Sequence, residues 1–212
     1  ATFKSDIGVA TTSLSIDNYK DVALASYKGN IILSSFDIGA LTKEPSLGEV
    51  SANVSIDGRG FTQTTVDTAL RGVISSFSFQ GYDYKNITLQ GALKDPVFNG
   101  DLSIDDPNVQ LDFKGLVDVS KSFNQYDFQA DVHFAELNKL QLVARDSISV
   151  FAGKVVVDMD GTTIDDIVGS FSFQQTFYQN QDDDFYFDDF KIASSFEDQK
   201  RIIDINSPDI CN

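Results

Sequence analysis

The chain has 212 residues, 42% of them hydrophobic and 23% charged, a composition that suits a folded protein and excludes a disordered one. Its net charge of −16, from 32 acidic against 16 basic residues, repels phosphate and excludes nucleic acid and anionic headgroup surfaces as partners. Eighteen Phe and seven Tyr, with no Trp and one Met, favour strands over helices.

In chain order, the N terminus opens at Ala1 with neither an initiator Met nor a signal peptide, so it reads as cut. Ile38–Lys43 breaks the strand pattern for about one helical turn, too short for a packed helix. Val50, Ala52, Val54 and Ile56 then alternate with Ser51, Asn53, Ser55 and Asp57. Asp57-Gly58 ends that strand, and Gly58-Arg59-Gly60 lacks the third glycine and the following helix of a dinucleotide loop. The sequons at Asn53 and Asn86 fall within strands and read as chance matches. Lys94-Asp95-Pro96, Asn99-Gly100 and Asp106-Pro107-Asn108 are turn signals around the alternating Phe98, Gly100, Leu102 and Ile104.

The next strands repeat the alternation. Val109, Leu111, Phe113, Gly115, Val117 and Val119 share one parity, broken on the other side only by Leu116. Tyr126, Phe128, Ala130, Val132 and Phe134 oppose Gln125, Asp127, Gln129, Asp131 and His133. Successive strand side chains point to opposite faces, so each segment is apolar on one side and wet on the other, the patterning of antiparallel sheets. Ala135–Leu140 supplies a second short helical turn.

His133 is the only histidine and sits on a polar parity, which excludes a histidine triad or a histidine metal site within this chain. Asp158-Met159-Asp160-Gly161 resembles the start of a calcium loop, but its twelfth position is Gly169 where a Glu is needed. Asp182-Asp183-Asp184, with Asp188 and Asp189, reads as a solvated loop before a strand rather than a metal or acid–base site. No metal, cofactor or catalytic residue is expected. Cys211 is the only cysteine, so no internal disulfide forms. No run of about 18 apolar residues offers a membrane-spanning helix. The chain stops at Asn212 just after a strand-like stretch, which also reads as a cut end of something longer.

The sequence contains an internal repeat. Ser35–Leu41 echoes His133–Leu140, Ser55–Gly58 echoes Asp158–Gly161, and Ser76-Phe77-Ser78-Phe79-Gln80 recurs as Ser170-Phe171-Ser172-Phe173-Gln174. Tyr82–Leu89 parallels Phe185–Ile192, and the offsets run from 94 to 103 residues in one order. The whole chain reads as a fragment of one continuous repeat sheet, with approximate units 30–130 and 131–212. About 14 strands are expected, and open sheets seldom exceed about 10 without curling or splitting. With no helix to cover the apolar face, the sheet folds into sandwiches, closes as a barrel, or curls into a trough.

The repeat signature resembles the TamB-type translocation and assembly modules of the AsmA-like superfamily. The phrases that carry the likeness are Phe36–Leu41, Ser46–Ser51, Val54–Phe61, Gly81–Gly91 and Phe98–Asn108, within residues 30–206. The resemblance implies an all-β fold, an elongated, curled antiparallel sheet (a β-taco or half-pipe) with an apolar concave face. It implies a periplasmic bridge anchored in the inner membrane, reaching an outer-membrane barrel partner through regions absent here. The cargo would be phospholipid acyl chains or unfolded outer-membrane strands. Val109, Leu111, Phe113, Val117, Phe128, Val132 and Phe134, with Phe77, Phe79, Phe171 and Phe173, are the expected groove lining. The rival reading is a tandem of immunoglobulin-like sandwiches serving as an adhesin or binding module, which the repeat length suits and the missing Cys…Trp…Cys does not.

Overall fold

The computed structural model describes residues 1–62, 64–95, 97–118, 124–161, 166–198 and 200–207. Val119 and Cys211 lie outside the described residues. The protein is all-β and antiparallel, with thirteen strands and one short helix among the described residues. The chain divides into two compact units, Ala1–Pro107 and Asn108–Asn212.

The first unit holds β1 (Thr2–Ser5), β2 (Gly8–Asp17), β3 (Ser26–Asp37), β4 (Leu47–Arg59), β5 (Asp67–Phe79), β6 (Tyr82–Lys94) and β7 (Val97–Asp106). Each strand pairs with the strand before and after it in the chain, and β1 pairs with β2 alone. This meander is neither a Greek key nor a closed ring, so the immunoglobulin-like topology is not formed. Between β3 and β4 lies α1 (Ile38–Thr42), started by Asp37, whose Oδ1 accepts from the Ala40 amide at 2.8 Å. Lys43, at φ +60, closes it in a left-handed cap. Gly39 is buried against β4, where an added Cβ would stand 2.0 Å from the Leu47 carbonyl oxygen.

The second unit holds β8 (Val109–Asp118), β9 (Gln125–Glu136), β10 (Ser149–Asp160), β11 (Val168–Asn180), β12 (Asp184–Glu197) and β13 (Lys200–Asn206), again paired in chain order. A turn over Leu137–Gln141 replaces the helix, and the Leu140 amide donates to the Glu136 carbonyl.

The alternation read in the sequence is the alternation of burial. In β4, Val50 and Ala52 are buried and Val54 and Ile56 half-buried, while Asn53, Ser55 and Asp57 are exposed. Most of the apolar parity stops at half-buried, because among the described residues the packing inside each unit runs from a strand to its chain neighbours, with no second layer of the same unit upon it. The most sheltered apolar positions are Ala25, before β3, and Ile87 in the first unit, and Val109, Ala135, Leu140 and Val157 in the second.

Register shows how the two units repeat. Val50 pairs with Phe36 and Phe77, and Phe151 with Ala135 and Tyr178. From β4 and β10 onward the equivalent residues are therefore 101 apart, so Tyr84 answers to Phe185 and Leu89 to Phe190. The Ser-Phe-Ser-Phe echo does not mark equivalent places. Phe77 is matched by Tyr178, whereas Phe171 and Phe173 are matched by Leu70 and Gly72.

Candidate functional site

The second unit's apolar parity forms rows that cross the sheet. One row runs Phe113, Ala130, Val155, Phe173, Phe190, and the next runs Gly115, Phe128, Val157, Phe171, Ile192. Within these rows Phe113 and Phe128 lie 5.0 Å apart between ring centroids, and Phe171 meets Phe173 edge to face at 4.6 Å. Register also places Leu111 with Val132, Val117 with Tyr126, and Val109 with Ala135 on this face.

Phe134 leaves the series. A bulge between Gln110 and Leu111 gives β9 one extra residue, so Phe134 stands opposite Gln110 on the polar parity rather than beside Val132. His133, beside it, puts Nε2 3.0 Å from Asp112 Oδ2 on the exposed polar face. Phe77 and Phe79, their rings 6.0 Å apart, belong to the first unit, where Phe77 pairs with Val50 and Tyr84, and Phe79 with Leu47 and Tyr82.

An apolar pocket of about 530 Å³ opens on the second unit's apolar face. Its walls are Phe151 from β10, Phe173, Thr176 and Tyr178 from β11, and Phe185, Phe187 and Phe190 from β12; Val143 and Arg145 come from the β9–β10 loop. Phe173 is the only expected lining residue among them. Phe190 stands opposite Phe173 in the same row, whereas Phe185 and Phe187 lie past a gap in the β11–β12 ladder, which skips Gln175, at φ +48, and Asp188. That break brings Phe187 and Phe190, of opposite parity, into one cavity. Gly153, at φ +146, sits in the neighbouring bulge of β10, where a Cβ would lie 2.9 Å from Thr176 Oγ1. The signal that could have revealed the pocket is the density of aromatics in Phe185-Tyr186-Phe187 and Phe190, read with Gly153 as a bulge.

A short polar network pins the loop over the pocket. Asp146, 7% exposed, accepts from the Tyr178 hydroxyl at 2.9 Å and from Arg145 Nε at 3.2 Å, while Ser149 Oγ lies 3.1 Å from the same hydroxyl. The Tyr178 hydrogen bond, outweighing the desolvation that opposes it, holds the Asp146 carboxyl below the ordinary carboxylate value, with Arg145 and Gln181 adding to it. Arg145 itself is 86% exposed at the pocket's mouth, beside Asn180.

The first unit differs at the equivalent places. Val50, Gly72 and Leu89 stand where the second unit has Phe151, Phe173 and Phe190, so the aromatic cage is missing. A concavity of about 770 Å³ in the first unit has Lys28, Asn30, Asp57, Arg71, Gln90 and Asp101 in its lining instead. Asp106, 1% exposed, accepts from the Lys85 amide at 2.9 Å and from the Tyr82 hydroxyl, while burial and then the Asp106 charge raise the Tyr84 hydroxyl above its ordinary value.

The acidic stretch is a hairpin turn. Asn180 Oδ1 accepts from the amides of Asp182 and Asp183, each at 2.8 Å, which turns the chain between β11 and β12. Among the described residues no group of three or more His, Cys, Asp or Glu is placed to hold a metal, and no helix is long and apolar enough to cross a membrane. Comparison with protein-family models, with curated proteins and with solved structures finds no match to this chain.

Proposed function

We propose that the chain is a segment of a TamB-like periplasmic bridge whose apolar sheet face carries acyl chains between membranes. The observation that supports this most is the pocket of the second unit: a cavity walled by six aromatic rings, on a face that, among the described residues, no other layer of the same unit covers. An acyl chain has no hydrogen-bonding requirement, so a wall of Phe suffices and the few polar groups belong at the rim. An unfolded strand would need main-chain partners along its length, which a sheet face does not offer. That favours lipid over outer-membrane strands as the cargo. No residue acts as acid, base or nucleophile in this reading, and the function is carriage rather than chemistry.

The test is native mass spectrometry of the chain mixed with a diacyl phospholipid. Wild type is expected to retain lipid, and Phe173→Asp is expected to lose it, since a carboxylate in the lining must be desolvated when the chain seats. Asp131→Ala, on the polar parity, should retain as much as wild type. Failure of wild type to hold any lipid, or equal retention by a folded Phe173→Asp variant, overturns the reading.

A further inference from the structure

The pocket's chemistry is lopsided, and the asymmetry specifies a ligand. Its walls are aromatic from Phe151 to Phe190, and the only ionised side chain in the lining is Arg145, which stands in solvent at the mouth next to Asn180. Arg145 spends only Nε on Asp146, and that carboxylate is already served by the Tyr178 hydroxyl. The rest of the guanidinium is therefore poised to meet a second anion in the planar, two-pronged manner that suits a carboxylate. The volume, about 530 Å³, falls in the lower half of the roughly 300–1,000 Å³ usual for small-molecule pockets, room for one chain rather than a pair.

We infer that the second unit's pocket binds a single long-chain carboxylate, its hydrocarbon among the Phe rings and its carboxylate on Arg145. The inference rests on the acyl-carrying reading above and narrows it from lipid in general to an unesterified, anionic amphiphile. The chain's net charge of −16 opposes any anion at long range, but at about 0.15 M salt that field is screened beyond about 8 Å. At the mouth the ionised side chain that lines the pocket is Arg145, which shares one side of its guanidinium with Asp146.

Calorimetric titrations with dodecanoate and with dodecanol, at matched salt and below micelle formation, separate the two claims. Wild type is expected to bind dodecanoate at least tenfold more tightly than dodecanol. Arg145→Glu should lose that preference, read as the ratio of the two affinities within the variant, and Arg145→Lys should keep part of it. Equal affinity of wild type for acid and alcohol overturns the carboxylate assignment and leaves the acyl-carrying reading standing. Binding of neither ligand overturns both. An unchanged preference in Arg145→Glu shows that the anion is held elsewhere and also overturns the assignment.

Discussion

A single carboxyl shows how the loop at the pocket is held. Asp146 is nearly buried, on a loop with little regular structure, and its partners are the Tyr178 hydroxyl and the Arg145 guanidinium. Because its folded pKa is depressed, the stabilisation is complete above the ordinary carboxylate value of about 3.9 and is lost as pH falls through the lower folded value. The loop is therefore expected to stay docked throughout the neutral and mildly acid range and to detach only below about pH 4. Carbon-detected NMR of the Asp146 carboxyl reads this directly: its midpoint should lie below that of an exposed aspartate. In Tyr178→Phe, which removes the largest cause, the midpoint should climb toward the ordinary value. A wild-type midpoint at or above the ordinary value would mean that desolvation outweighs the hydrogen bonds and that the loop is not anchored this way.

Elements differ in how far they could be read from residues alone, and the difference has one physical source. Period-2 alternation assumes an unbroken ladder, and where the register runs without a shift, as over Asn53–Asp57 of β4 and Leu111–Gly115 of β8, parity and burial agree residue by residue. One inserted residue reverses every later assignment. That is why Phe134 was placed with Val132. Phe151, Phe185, Phe187 and Phe190 belong to β10 and β12, whose sequences do not alternate cleanly, although Phe190 stands opposite Phe173. The two short helical interruptions were legible, since neither segment alternates, but their difference was not: one is α1 and the other a turn. Part of that difference lies in Gly39, which lets α1 approach β4 to a distance no side chain tolerates. Gly39→Ala must push the helix off Leu47, an overpacking expected to cost about 1–3 kcal/mol. Ala is the better helix former, so propensity alone would make the same change stabilising. Urea melts decide between these signs, and a Gly39→Ala variant as stable as wild type or more so would mean the helix is free to move away.

At the scale of the whole molecule, surface and charge set the terms of stability. Sheets covered on one side only by water bury less per residue, so cross-strand pairs carry much of the stabilisation. Against them acts the self-repulsion of a chain at −16. The pairs Lys28–Asp57, Arg59–Asp67 and Lys139–Glu136 join largely or partly exposed side chains, and such bridges contribute about 0–1 kcal/mol each. Added salt weakens both the pairs and the repulsion, and the sign of the net effect shows which is larger. Raising NaCl from about 0.01 M to about 0.15 M shortens the screening length from about 30 Å to about 8 Å. That removes long-range repulsion while contacts as short as the 2.5 Å Lys28–Asp57 pair lose little. The melting temperature is therefore expected to rise by a few degrees, since about 1 kcal/mol moves a chain of this size by roughly 2–4 °C. Sodium chloride is the right salt, because sulfate would strengthen apolar burial as well and confuse the two causes. A melting temperature that falls across the same range would show that the exposed ion pairs contribute more than the long-range repulsion costs.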